Sequence, residues 1–249
     1  MGYRRIHEAA RNGDVDFLRE ELETVSPNLV DGLSGFAPLH YVASCAQRYV
    51  KGAVRGKGDA DNRVACIRLL VAEGANVNST TAENTTAIFY AARGGYTKLV
   101  AALLDAGADV NHLDGRFVTP LHDAMYSTSP DCTRLLINAG AAVDTIDSFG
   151  RTPLDECITS CQRYLRGGYV AESERQRRHF PILLRAGAAL PAECQTDDAY
   201  LRKVIAAGSF QNYERAHLNA IAAAFAAKLP LPPELVRRVV EYAFHVGDY

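Results

Sequence analysis

Apolar and polar positions along this chain recur in blocks of constant length. The segments "TAIF" (residues 86–89), "TPLH" (119–122) and "TPLD" (152–155) follow one another at intervals of 33 residues. The leucine-rich runs of the same blocks end in "AEGANVN", "DAGADVN" and "NAGAAVD", which set Gly74, Gly107 and Gly140 at that same interval. A Thr-Pro pair suits a helix start, because the hydroxyl caps free N–H groups and Pro wastes no donor in the first turn. A glycine after a leucine-rich run suits a helix end, where it takes the left-handed conformation. Each block therefore predicts two short antiparallel helices and a connecting turn. No such block hides its apolar face alone, so stacked neighbours must supply the core.

The pattern extends in both directions. An earlier block carries "APLH" (37–40), a shortened first block reads "IHEAARNGDVDFLREELE" from Ile6, and a last one runs from Thr152 to "LLRAGAAL" at 183–190. Two interruptions break the period, each between the two helices of a block. Ala37 to Thr86 is 49 residues, 16 more than 33, and Gly140 to Gly187 is 47, 14 more. The flanking sequences echo each other as "SCAQRYVKG" (44–52) and "SCQRYLRG" (160–167), each extending a first helix to a glycine. Both insertions are basic, which fits a solvated, elongated helix pair or a functional basic edge. Pro181 must kink or open the second helix of the last block, since it lacks an N–H for the helix interior.

A 33-residue period with T-P-L-H opening one helix and L-L-x-x-G-A closing the next resembles the ankyrin-repeat family, from the N-terminus to about Ala189. The resemblance implies an all-α ankyrin-repeat solenoid of about five repeats, two with lengthened helices or inserted loops, over residues 1–190. Residues 191–249 then form a C-terminal helical segment that caps it. His40 and His122, within the repeated motif, are expected to hydrogen-bond between adjacent turns.

Composition narrows the function. Hydrophobic residues make up 48% and charged residues 22%, with a net charge of −2 and a pI near 6.4, so no global charge favours nucleic acid. The six cysteines are dispersed with no C-x-x-C pair, which fits thiols in a reducing compartment, cytoplasm or nucleus. No apolar run has the length of a signal or a membrane span, and no membrane partner is expected. Phosphate-loop, dinucleotide, H-E-x-x-H and nucleophile-elbow motifs are absent, so neither enzymatic activity nor a cofactor is expected. Cys157 and Cys161 lie four apart on a predicted helix without further ligands at finger spacing, and read as buried small residues rather than a metal site.

Partner binding remains, and a monomer that holds a target protein is expected. By resemblance to ankyrin proteins, recognition uses the turn tips and the first residues of the inner helices. The tips carry Phe36, Leu113, Arg116, Phe117, Ile146, Phe149 and Arg151. The inner positions are Tyr41, Tyr90, Asp123, Met125, Tyr126 and Glu156. Aromatics and Arg bury large area at low entropic cost. Phe36 and Phe149, next to turn glycines, fit equally a fold-back onto the next repeat.

The tail adds two predicted helices, 199–209 and 213–228, the second with Leu218, Ile221, Ala222 and Phe225 on one stripe. Beyond them, "LPLPPELVRRVVEYAF" (229–244) gives an amphipathic helix opened by Pro232 and Pro233. This stretch resembles the first helix of an F-box, as in viral ankyrin proteins with a PRANC segment, and also the Leu-Pro-rich end of a SOCS box. The resemblance implies contacts from Pro230, Pro233, Leu235, Val236 and Val239 to a Skp-type adaptor and a cullin ubiquitin ligase. The alternative is a plain scaffold or inhibitor whose tail only caps the stack.

Overall fold

The computed structural model of this chain describes residues 2–32, 34–44, 60–190, 198–226 and 234–235. By its contacts the chain divides into two compact units, Met1–Ala186 and Gly187–Tyr249. Among the described residues there are helices and turns but no strand.

The first unit holds α1 (Gly2–Asn12), α2 (Val15–Leu22), α3 (Pro38–Ser44), α4 (Ala60–Ala72), α5 (Ala87–Gly94), α6 (Thr97–Asp105), α7 (Pro120–Ala124), α8 (Pro130–Asn138), α9 (Pro153–Arg166), α10 (Val170–Arg177) and α11 (His179–Arg185). They stack in two rows. In the inner row α1 packs on α3, α3 on α5, α5 on α7 and α7 on α9; in the outer row α2 meets α4, then α6, α8 and α11 follow. The repeated apolar positions fill the space between rows. Leu39, Ile88, Leu121 and Leu154 occupy one position in four successive repeats, and all are at most 1% exposed. Truncating any one to alanine removes about 2–5 kcal/mol.

Helix starts follow the sequence where the chemistry allows. Thr119 Oγ1 accepts from the His122 N–H at 3.3 Å, and His122 Nδ1 accepts from the Thr119 N–H at 3.2 Å. Thr152 and Asp155 make the same reciprocal pair at 3.2 and 2.9 Å. Thr86 breaks the pattern: its hydroxyl caps nothing, the Phe89 N–H goes to the Thr86 carbonyl, and Phe89 offers no acceptor in return. The motif histidines bridge repeats, as their position suggests. His122 Nε2 lies 3.0 Å from the Arg151 carbonyl and His40 Nε2 3.3 Å from that of Thr85. Since Nδ1 accepts, the proton sits on Nε2, and burial pushes both rings below the ordinary histidine pKa.

At the other loops three asparagines repeat one arrangement. Asn28, Asn78 and Asn111 each donate Nδ2–H to a carbonyl of the next repeat (Gly74, Gly107, Gly140) at 2.9–3.1 Å and accept a backbone N–H two residues beyond it at 2.7–2.8 Å. Asp144 holds the next register, and a carboxylate has no N–H to donate.

The second interruption is a lengthened helix pair. α9 has 14 residues where α5 has 8. It turns through Gly167 and Gly168 into α10, which ends at Arg177. Pro181 explains that end: its ring excludes the carbonyl four residues back, that of Arg177, so the helix breaks at Arg178 and resumes as α11. Cys157 and Cys161 are buried against α10, with Cys157 Sγ 3.5 Å from the Gln176 carbonyl, while Ser173 Oγ donates to the Cys161 carbonyl at 3.3 Å. Burial pushes the Cys157 thiol well above its ordinary pKa. The first interruption falls on residues 45–59, outside the described residues.

In the second unit α12 (Ala199–Ala206) packs on α13 (Phe210–Ala226). Asp198 caps α12 by accepting from the Tyr200 and Leu201 N–H groups. Among the described residues Leu201, Val204 and Phe210 are its large buried apolar side chains, and Tyr200 meets Tyr213 edge-on at 5.4 Å. On α13 the expected stripe at Leu218, Ile221 and Ala222 is half-buried.

Candidate functional site

Four turn tips lie in register along the first unit. Each begins at a residue whose side chain gathers the turn's own N–H groups. Asp114 Oδ1 accepts from Arg116 and Val118 at 2.8 and 2.9 Å, Asp147 Oδ1 from Phe149 and Arg151 at 2.8 and 2.9 Å. Asp31 does this for Ser34 and Phe36, and Thr81 for Glu83 and Thr85. Partial burial disfavours the charge on Asp31, but the bonds from Ser34 and Tyr41 outweigh it and bring its pKa down to about 2. Backbone bonds then tie tip to tip: Ala82 N–H to Ser34 O at 3.2 Å, Gly115 N–H to Glu83 O at 3.1 Å, Ser148 N–H to Arg116 O at 2.9 Å. The tips are thus preorganised, and whatever they display is held at fixed spacing.

The last two tips display apolar side chains. Phe117 is 58% exposed, Ile146 58%, Phe149 72% and Leu113 38%. Arg116 is largely exposed beside them, and Arg151 stacks on Phe149 at 5.0 Å. Phe117 also has φ of 58°. The equivalent tip residues are Gly35, Asn84 and Gly150, also left-handed, with φ of 69°, 58° and 74°. Glycine and asparagine tolerate that conformation; a bulky side chain pays roughly 1–2 kcal/mol for it.

Beneath the tips lie ion pairs, one joining two inner helices and others joining a tip to the helix that follows it. Arg93, in the last turn of α5, reaches Asp123 on α7 at 2.6 Å and places its guanidinium 5.3 Å from the centre of the Tyr126 ring. Arg151 joins Asp147 at 2.7 Å to Glu156 on α9 at 2.5 Å. These groups, with Arg116 and Phe149, line one open cleft. Burial raises the Asp123 pKa to about 6 even though Arg93 opposes the shift, and burial with the adjacent Glu156 carboxylate raises that of Tyr126.

The sequence-derived candidates divide accordingly. Arg116, Arg151 and Tyr126 come together at the cleft, and Phe117 stands exposed on the same turn tip as Arg116, so all four are accessible to a partner. Asp123 and Glu156 belong to the same cleft but are only 3% and 2% exposed; they act through the arginines they hold. Met125 is fully buried, because the α7 turn directs it into the core, and presents nothing to a partner. Tyr41 and Tyr90 are half-buried at the other end of the row: Tyr41 Oη donates to Asp31 at 2.5 Å, and both rings pack on Phe36, 5.4 and 5.2 Å away. Phe36 therefore folds back and Phe149 does not. Arg93 was not among the candidates; its one signal is a basic residue in the last turn of an inner helix. On the tail, Leu235 is 47% exposed, and Pro230, Pro233, Val236 and Val239 lie outside the described residues.

Stacked helix pairs with tied tips define a repeat solenoid. Residues 6–114 match a family model described as ankyrin repeats (3 copies), and residues 103–157 one described as ankyrin repeats (many copies). Together the matches run from residue 6 to 157, and the chain belongs to the ankyrin-repeat family. A search of curated proteins finds no match. Ankyrin repeats make a protein-protein interaction module, in general a scaffold rather than an enzyme. No helix of the described residues is long and apolar enough to cross a membrane.

Proposed function

We propose that this chain holds a target protein against the last two turn tips and the cleft behind them, with Phe117, Phe149, Arg116, Arg151 and Tyr126 as the contacts. The observation that carries this reading is Phe117, a strained residue whose ring is 58% exposed and so recovers little packing energy within the chain. Strain that the fold does not repay is typical of binding sites. The surrounding aromatic and arginine side chains have the composition of an interface centre. The test is affinity purification with mass spectrometry, wild type against Phe117→Asn with Phe149→Ala. Proteins captured by wild type and lost from the folded variant support the site, and an unchanged set overturns it.

The adaptor reading of the tail is a second proposal, favoured by the exposure of Leu235 within the Leu-Pro-Pro-Glu-Leu motif. On that reading the tips hold a target while 229–244 engages a Skp-type adaptor and a cullin ligase. Truncation after Lys228 separates the two roles. A handle comes off with loss of ligase subunits from the purified complex and an unchanged melting temperature. A cap takes thermal stability with it. The buried thiols at Cys132, Cys157 and Cys161, none of them in a disulfide, support a reducing compartment, cytoplasm or nucleus, as the place of action.

A further inference from the structure

The lengthened helix pair α9–α10 ends in a surface that target binding at the tips does not use. With six more residues than α5, α9 carries the turn at Gly167 and Gly168 about 9 Å further along the helix direction. The same four residues, Arg-Gly-Gly-Tyr, close the ordinary pair at 93–96 and the long pair at 166–169. In both, the tyrosine ring lies over the first glycine, where a Cβ would meet it at 2.1 Å on Gly94 and 2.9 Å on Gly167. The surroundings differ: Tyr96 is half-buried, whereas Tyr169 is 60% exposed, flanked by Val170 at 55% and Leu165 at 41%. Three large apolar side chains thus sit together at the end of a spur.

Charge says what meets them. Residues 157–171 contain no acid, and the spur from 163 to 178 carries five arginines against Glu172 and Glu174. Its order matters as much as its sign. Leu165, Tyr169 and Val170 flank the terminal turn together with Arg166, while Arg163 and Arg175 stand about a turn or more behind. Apolar groups at the turn, a tyrosine and Arg166 beside them and further cations a turn behind match the layers of an anionic bilayer: acyl chains, interface, headgroups. We infer that the α9–α10 spur docks peripherally on anionic lipid, inserting Leu165, Tyr169 and Val170 between headgroups held by the arginines.

The chain has no tryptophan, so Tyr169→Trp reports from the spur alone. In the full chain, vesicles of phosphatidylcholine containing phosphatidylserine should shift its emission to the blue, and pure phosphatidylcholine should not. The shift should fade between 0.1 and 1 M salt as the screening length falls from about 10 to about 3 Å. Each of Arg166→Ala and Arg175→Ala should lower partition about fivefold. Leu165→Ser with Val170→Ser should abolish it while circular dichroism stays unchanged. Co-sedimentation of the unsubstituted chain with the same vesicles guards against an effect of the probe itself. No shift and no sedimentation with either vesicle overturns the inference. So does a shift produced by soluble poly-glutamate and not by vesicles, which would assign the spur to an acidic protein.

Discussion

Arg93 and Asp123, 30 residues apart in sequence, close on each other at 2.6 Å and join the last turn of α5 to α7. Asp123 has almost no contact with water, and burial lifts its pKa to about 6 against the pull of Arg93. Arg93→Ala leaves that carboxylate enclosed without its cation, at a cost of roughly 3 kcal/mol near pH 7.5. The cost depends on pH in a definite direction. An acid whose folded pKa exceeds its unfolded value of 3.8 destabilises the fold increasingly as pH rises through that window, and loss of Arg93 pushes the folded pKa higher still. Urea unfolding should therefore show a smaller penalty at pH 5 than at pH 7.5. An equal penalty at both would mean that Arg93 contributes packing and not charge.

Phe117→Asn places at the third tip the residue that Asn84 supplies, at the same φ of 58°, one repeat earlier. It removes most of the strain of a left-handed phenylalanine and little buried area. Stability should rise by about 1 kcal/mol, or about 2–4 °C in Tm for a domain of this size. Phe117→Ala keeps the strained backbone and should gain less. A drop in Tm for Phe117→Asn would show that the ring packs on its own chain and would remove the main support for the binding site.

The asparagine ladder predicts a local effect. Asn111 donates at 3.0 Å to the Gly140 carbonyl and accepts at 2.8 Å from the Ala142 N–H. Asn111→Ala loses both bonds at an exposed loop, where water replaces part of them, so the expected cost is about 1 kcal/mol. Amide exchange should accelerate at Ala142. Protection at Asp109, whose N–H bonds to Asn78 one repeat earlier, should stay as it is.

Much of this was legible in the sequence, and the parts that were not share a cause. The 33-residue period places each helix pair, because Thr119, Pro120 and Gly140 act within a few residues of themselves. Pro181 likewise announces the break at Arg178, a local steric matter. Exposure is another kind of property. Met125 and Tyr126 are adjacent, one fully buried and one half-buried, and the difference depends on a short turn before Pro130 that ends α7 after five residues. Phe36 and Phe149 look alike beside their glycines, yet Phe36 packs between the Tyr41 and Tyr90 rings, whereas Phe149 meets the Arg151 guanidinium and stays exposed. The Arg93–Asp123 pair joins two repeats, and a repeat pattern read one unit at a time does not contain it.

His179 predicts the acid limit of the fold. It is buried at the start of α11, with Nδ1 2.7 Å from Thr133 Oγ1 on α8, and burial lowers its pKa from 6.5 to about 4. A base held neutral in the fold is protonated first in the unfolded chain. Its contribution is complete above pH 6.5 and is lost as pH falls toward 4, a difference of roughly 3 kcal/mol. His40 and His122, also shifted down by burial, act in the same direction. Asp123 acts against them, since protonation below pH 6 relieves its burial, while Asp31, with its pKa near 2, keeps its contribution down to about pH 3.8. Three histidines against one aspartate leave a net loss, so Tm should fall between pH 6.5 and pH 4.5. His179→Asn keeps an amide within reach of Thr133 but cannot titrate, and its Tm should fall less steeply over that interval. Parallel curves for the variant and wild type would assign the acid limb to groups other than His179.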